Sequence, residues 1–380
     1  MRFEKGFSIK IAENRCLNQT HHAVECNHCI ENCPSKAILL HEHSVYLNKD
    51  LCCGCGLCFN DCPTQVFSSS LWDETSIVEE VEEQKWKATE FFCGKHSSPF
   101  NKDKTWKMGA VQLPACLSMI SKGAWYEFGL KTAIELHLDQ CEGCSMSCTL
   151  SRLDFNVGTA AEWLEASGCT PEISYIHQSS KGKTKKNLKA IETGLKVTSR
   201  RDLFLSVIGK GRQISENIRN NTKSFSKERD QERRNSYLPD WQKRLAEVYP
   251  NNRIKGASPA YWPTIQINDK CVNCGMCTNF CPSKTLKNTV EGGICTRYFT
   301  SGLCLDCRIC QLFCPREAIS RDREKVEKPF EATTLFSAAA IKCRRCTSIT
   351  FDNTRHLCYW CREETAIDDE IKEKYRKLLL

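Results

Sequence analysis

Apolar positions along this chain come in short bursts, and their period changes from segment to segment. Near the start, Ala37-Ile38-Leu39-Leu40, Val45-Tyr46-Leu47 and Val66-Phe67 are brief apolar stretches between polar and turn residues, which predicts short strands. Beyond residue 85 the bursts lengthen. Trp86–Phe92, Ala110–Leu113, Thr132–Leu138 and Glu172–Ile176 read as strands. Leu117–Gly129, with Leu117, Ile120, Trp125 and then Leu130 near helical spacing, reads as a helix, as does Ala160–Ala166. This β-α-β-α-β order predicts a parallel sheet with helices packed on it, and such sheets hold ligands beyond the carboxyl ends of their strands. Further on, Lys185–Leu195, Asp202–Asn220 and Pro239–Val248 carry helical patches around the polar stretch Asn221–Ser236, and Glu363–Leu380 reads as an amphipathic terminal helix. The longest apolar runs, near Leu203–Ile208 and Leu335–Ile341, fall far short of the roughly 20 residues that span a bilayer.

Composition changes this picture through one residue type. The 380 residues include 28 cysteines. A chain of 43.4 kDa buries adequate cores without covalent staples, and its first residues lack the apolar core of a signal peptide. A disulfide scaffold is therefore not expected; in a cytoplasmic protein the thiols are expected to be metal ligands. Their spacing bears this out. Cys52-x2-Cys55-x2-Cys58-x3-Cys62-Pro63, Cys271-x2-Cys274-x2-Cys277-x3-Cys281-Pro282 and Cys304-x2-Cys307-x2-Cys310-x3-Cys314-Pro315 share one grammar. Cys16-x9-Cys26-x2-Cys29-x3-Cys33-Pro34 follows it with a longer first gap, whose insert Leu17–Glu25 carries His21 and His22. Two intervening residues let a chain curl around one cubane, and the cysteine before proline ligates the other cluster of a pair. The four quartets expected are thus Cys16, Cys26, Cys29 and Cys62; Cys52, Cys55, Cys58 and Cys33; Cys271, Cys274, Cys277 and Cys314; and Cys304, Cys307, Cys310 and Cys281. Cys53 is a substitute ligand in the second quartet or else a packed thiol. Over roughly residues 7–70 and 264–320 these runs resemble the two-cluster bacterial ferredoxins, which implies two [4Fe-4S] clusters in each segment, held by small two-stranded sheets and helices. Zinc is the competing reading, but it favours paired knuckles over four such repeats.

In the middle segment Cys93, Cys116 and Cys141 each fall just past an expected strand end, with Cys144 one turn later. We expect a fifth metal site there, an iron–sulfur cluster, with buried structural thiols and zinc as alternatives. Cys148 is an alternative fourth ligand and His177 a weaker candidate. The string Val111-Gln112-Leu113-Pro114-Ala115-Cys116-Leu117, followed by Cys141-x2-Cys144, resembles the small iron–sulfur subunit of hydrogenase–heterodisulfide reductase systems over about 60 residues. That resemblance implies a two-iron cluster and electron exchange with a flavoprotein; two irons against four stays open. Near the end, Cys343-x2-Cys346-x11-Cys358-x2-Cys361 pairs two knuckles, which suits tetrahedral zinc, with a single rubredoxin-like iron or a cubane as alternatives. Cys53, Cys148, Cys169 and Cys295 stay unassigned.

Charge is local. Residues 181–256 hold 20 Lys and Arg against 8 Asp and Glu, whereas the rest of the chain holds 34 against 38. This basic stretch reads as a solvated helical face, a dock for an acidic redox partner, or a nucleic-acid surface; no aromatic stacking motif accompanies the charge. Ser199-Arg200-Arg201-Asp202 imitates a twin-arginine export signal but lies in mid-chain, and Ser199 and Asp202 fit a helix N-cap better.

The expected fold class is α+β. Two ferredoxin-like domains with two [4Fe-4S] clusters each, residues 1–75 and 257–330, flank a small α/β parallel-sheet domain at 76–180 and a basic, partly helical connector at 181–256. A zinc-ribbon-like or rubredoxin-like knuckle and a terminal helix occupy 331–380. No Gly-x-Gly-x-x-Gly after a strand, no phosphate-binding loop, no haem motif and no zinc-protease motif is present. Many one-electron carriers without a recognisable substrate site point to a non-catalytic electron-transfer subunit. The resemblances imply partners among molybdenum or tungsten oxidoreductases, hydrogenases, dehydrogenases and flavoproteins. A cluster-delivery factor and a redox-sensing nucleic-acid binder are the alternative classes.

Overall fold

The computed structural model describes residues 9–20, 24, 26–70, 72–95, 108–177, 188–192, 237–346 and 348–364. They fall into two compact units, Met1–Leu245 and Ala246–Leu380.

The first unit opens with two antiparallel ladders. Strand β1 (Ile9–Ile11) pairs with β4 (Phe67–Ser69), and β2 (Ile38–His41) pairs with β3 (Ser44–Leu47). The β2–β3 turn has Glu42 and His43 at φ 45° and 70°, the two left-handed positions that a two-residue hairpin matching strand twist requires. Short helices α1 (His28–Glu31) and α2 (Cys58–Asp61) lie between the strands. After α3 (Glu74–Gln84) comes a five-stranded, wholly parallel sheet built from β5 (Ala88–Phe92), β6 (Met108–Gln112), β7 (Ala133–His137), β8 (Ile173–Ile176) and β9 (Leu188–Glu192), in the order β8-β7-β5-β6-β9. Helices α4 (Lys122–Gly129) and α5 (Leu150–Ala166) pack on each other. On the sheet, the Phe91 ring meets Trp125 and Phe128 of α4 at centroid distances of 5.0 and 4.9 Å. Trp86 lies so close over β6 that a Cβ at Gly109 would sit 1.8 Å from its ring.

The sheet departs from expectation in three places. Lys185–Leu195, read as a helical patch, contributes β9, whose Leu188–Glu192 pairs residue for residue with Met108–Gln112. The open backbone edge of β6 overrides a weak helical pattern there. The helix expected over Leu117–Gly129 starts instead after Ser121, whose hydroxyl accepts from the Ala124 amide at 3.1 Å; Leu117–Met119 is a 3₁₀ turn. The helix expected at Ala160–Ala166 begins ten residues earlier, with Leu153, Val157, Ala160 and Leu164 buried along one stripe. The expected helix at Pro239–Val248 is present as α6 (Asp240–Asn252), whereas Asp202–Asn220, the Ser199 cap and residues 365–380 lie outside the described residues.

The second unit repeats the two ladders of the first. Strand β10 (Ala260–Ile267) pairs with β13 (Ile319–Val326), and β11 (Leu286–Glu291) with β12 (Ile294–Phe299) across Gly292-Gly293, both at positive φ. Short helices α7 (Met276–Asn279) and α8 (Ile309–Leu312) precede β11 and β13, and β14 (Thr333–Ala339) adds a third strand beside β12. Tyr249, Trp262 and Phe330 form an aromatic cluster with centroids 5.5 to 5.7 Å apart. Strands β15 (Ile341–Lys342) and β16 (Ile349–Thr350) form a last, minimal hairpin.

Candidate metal centres

The cysteine runs fold by a repeated backbone device. In each of the four runs the third residue after the Cys-Pro cysteine is left-handed: Lys36, Gln65, Lys284 and Glu317 have φ between 49° and 54°. That kink turns the next amide back onto sulfur. Ala37 donates to Cys33 Sγ at 3.3 Å, Val66 to Cys62 Sγ at 3.4 Å and Ala318 to Cys314 Sγ at 3.2 Å. A second device shapes three of the loops, with left-handed residues at Gly54 and Gly56, Asn273 and Gly275, and Asp306 and Arg308, directly before and after the second cysteine of each run. The first run lacks it. There Asn18 clamps the long insert instead, donating to the Cys26 carbonyl at 2.9 Å and accepting from its amide at 2.7 Å. Cys16 is thereby held beside the rest of its quartet, while His21 and His22 lie outside the described residues.

The loops bring the thiols together crosswise. Cys16, Cys26, Cys29 and Cys62 line one cavity with Val45 and Phe67. Cys33, Cys52, Cys55 and Cys58 line another, which Cys29, Cys53 and Asp61 also reach. Cys271, Cys274, Cys277 and Cys314 line a third with Arg297. Cys281, Cys304, Cys307 and Cys310 form the fourth group: burial pushes the Cys307 thiol up to about 12, and the other three thiols push the same way. Burial likewise raises Cys26 to about 11 and lifts Cys29 well above the ordinary range, reinforced by Cys62 and Cys16. Thiols crowded in low dielectric resist ionising together, and a bound cation removes that penalty. The all-sulfur donor sets suit a soft, iron–sulfur type of group. Cys53 also lines the second cavity, and a hydrogen bond with Cys55 lowers its thiol from the ordinary range.

At the carboxyl end of the parallel sheet, Cys93 directly follows β5, and Cys116 and Cys141 lie four residues past β6 and β7. These thiols and Cys144 form one electrostatic group: burial raises Cys141 to about 12, with Cys116, Cys93 and Cys144 adding in that order. Gly94 makes the approach possible, since a Cβ there would lie 2.8 Å from the Pro114 carbonyl oxygen. Lys95 donates to Cys144 Sγ at 3.0 Å. Cys148, weighed as an alternative ligand, has an exposed thiol, and His177 stacks loosely on Tyr175 at 6.4 Å. The second cavity adjoins this region: a Cβ on Gly56, between Cys55 and Cys58, would sit 2.7 Å from Met119, three residues after Cys116. Asn60 of α2 donates to the Ile120 carbonyl at 3.2 Å, and Asp61 pairs with Arg152.

Cys343, Cys346, Cys358 and Cys361 present four sulfurs all within 4.8 Å of one another, a separation for one ion rather than a cubane. A tetrahedral Zn–S₄ centre places its sulfurs about 3.8 Å apart, given bonds of about 2.3 Å. The knuckle leans on the third quartet: Trp360 donates to the Cys274 carbonyl at 3.0 Å, and Asn273 to the Ile349 carbonyl at 3.0 Å.

Sequence reasoning missed four groups at these sites. Arg297 and Arg321 reach cysteine sulfurs from strands, and Lys95 from a loop, and no local sequence signal marks them. The fourth is a grouping of Glu90, Glu135 and His137, side by side on β5 and β7, with His137 Nε2 3.4 Å from Glu90 and its ring stacked on Phe92 at 4.0 Å. The parallel register that aligns Glu90 with Glu135 cannot be seen in the chain order.

Residues 45–68 match the model of a 4Fe-4S binding domain, a stretch that runs from β3 into β4 and contains Cys52, Cys55, Cys58 and Cys62. No curated protein matches the chain. Among the described residues no helix is long and apolar enough to cross a membrane.

Proposed function

We propose that this protein is a multi-cluster iron–sulfur electron carrier, a non-catalytic cytoplasmic subunit that relays single electrons between a partner dehydrogenase, hydrogenase or flavoprotein and an acceptor oxidoreductase. The observation that carries this reading is the crosswise gathering of sixteen cysteines into four quartets, two of which share cysteines with the 4Fe-4S binding domain match. A [4Fe-4S] cluster bound in each quartet supplies one-electron reduction with little rearrangement. The chain's own residues hold it: thiolates ligate, the amides of Ala37, Val66 and Ala318 donate to sulfur, and buried apolar side chains such as Phe67, Leu286 and Phe299 exclude water. Cys93, Cys116, Cys141 and Cys144 are proposed to hold a fifth cluster. The close packing of Gly56 on Met119 supports exchange between that site and the second quartet. Cys343, Cys346, Cys358 and Cys361 are proposed to hold zinc, which would brace the loop of the third quartet. The basic stretch at 181–256 is proposed to attract an acidic redox partner.

Anaerobic analysis of iron, sulfide and zinc in the full chain, joined to paramagnetic resonance of the reduced protein, tests this. The reading expects about 16 irons from the four quartets, further iron from the middle site, and one zinc. A chain isolated anaerobically with zinc in the quartets and no acid-labile sulfide would overturn it.

A further inference from the structure

The two ladder-bearing segments share one pairing pattern around their Cys-Pro cysteines, yet their charges differ where they face the candidate sites. Count from the cysteines. Val45 lies seven residues before Cys52 on β3, and Arg297 seven before Cys304 on β12; the registers Ile38↔Leu47 and Leu286↔Phe299 place them at one position of the hairpin. Val45 lines the first cavity and Arg297 the third. In the same way, Ser69 lies seven residues after Cys62 opposite Ile9, and Arg321 seven after Cys314 opposite Ile265. Where the first segment has an isopropyl group and a hydroxyl, the second has two guanidiniums.

Both arginines are aimed at sulfur. Arg297, 2% exposed, donates to Cys271 Sγ at 3.5 Å and is braced by the neutral side-chain oxygens of Asn273 and Asn288, each at 2.7 Å. Arg321 donates to Cys310 Sγ at 3.4 Å and Cys304 Sγ at 3.5 Å, and its other partner is Asp306 at 2.5 Å. A third difference is one of polarity rather than net charge, since Asp61 is paired with Arg152. The residues preceding Cys33 and Cys62 are Asn32 and Asp61, hydrogen-bonded at 2.8 Å, whereas those preceding Cys281 and Cys314 are Phe280 and Phe313, with rings 4.9 Å apart. Arg15, next to Cys16 in the chain, donates to the Thr64, Tyr237 and Leu238 carbonyls.

Reducing a cluster adds one negative charge and moves no bond or proton, so a buried cation hydrogen-bonded to its thiolates favours the reduced form and raises the potential. We propose that Arg297 and Arg321 set the two clusters of the second unit at higher potential than the two ferredoxin-type clusters of the first, so that electrons supplied by a one-electron donor settle in the second unit. This rests on the electron-carrier reading above and gives it an order: at partial reduction the electrons reside in the second unit.

A redox titration of the full chain, followed by paramagnetic resonance and absorbance, tests it in the parent protein and in Arg297→Gln, Arg321→Gln and Asp306→Asn. Each arginine variant should keep its iron and lower one of the two highest cubane midpoints by about 59 mV or more, a tenfold change in a one-electron equilibrium, with the rest unmoved. Asp306→Asn removes the counter-charge of Arg321 and should raise the midpoint that Arg321→Gln lowers. Asp306 is exposed, with φ 53°, a conformation asparagine accepts, so this variant decides the matter should an arginine variant lose iron. Midpoints unmoved by all three changes overturn the proposal, as does movement of the two lowest midpoints instead of the highest. A chain with no reducible cluster overturns the electron-carrier reading itself.

Discussion

At the residue scale, the middle site makes the sharpest demand. Cys116 sits four residues past β6 with Thr149 Oγ1 3.3 Å from its sulfur, and after burial it contributes most to the rise at Cys141. Cys116→Ser should remove the iron of this one site and leave about 16 irons in the quartets, whereas Cys148→Ser should leave iron content unchanged. Iron analysis and difference spectra check both, and equal effects of the two would place the ligand wrongly. Cysteines of this kind were legible because a ligand's spacing is a local property of the chain. Arg297, Arg321 and His137 were not, because what makes them matter is the strand register that delivers them to a sulfur or a carboxylate. A basic residue in a strand looks the same in sequence whether it faces solvent or a buried thiolate.

At the scale of elements, the parallel sheet depends on close approaches that admit no extra atoms. Gly109→Ala would drive a methyl group into the Trp86 ring and should destabilise the first unit by about 1–3 kcal/mol, read from denaturant midpoints. A wild-type midpoint would contradict the packing of Trp86 over β6. Helix α6 gives a pH signature. Arg244 donates to both oxygens of Glu127 at 3.1 Å and to Glu74 at 2.9 Å, yet burial still raises Glu127 to about 7 from its ordinary 4.5. Between these values the folded chain keeps a proton that the unfolded chain has lost. Stability from this group is therefore full below about 4.5 and falls as pH rises towards 7. Glu127→Gln should flatten that slope in denaturation midpoints measured across the window; an unchanged slope would assign it to other groups. The four strands with clear apolar bursts were legible to within a few residues. Strand β9 was not, since its five residues take their structure from the edge of β6. Nor was the early start of α5, where Gly158 and polar neighbours broke the pattern that Leu153 and Val157 continue.

At the scale of the whole molecule, the two ladder-bearing segments share topology and differ in charge. The same hairpin that closes over the first cavity with Val45 closes over the third with Arg297. Related ladders, neutral at these positions in the first unit and cationic in the second, are what the proposed difference in potential rests on. The number of electrons the chain takes up then reports directly on how many clusters its quartets hold. Coulometric reduction of the full, anaerobically prepared chain should take up about four electrons into the quartets, with further uptake at the middle site, and return them on reoxidation. Uptake of no more than one or two electrons by iron-replete protein, or loss of iron during a single cycle, would contradict an electron carrier built on four permanent clusters.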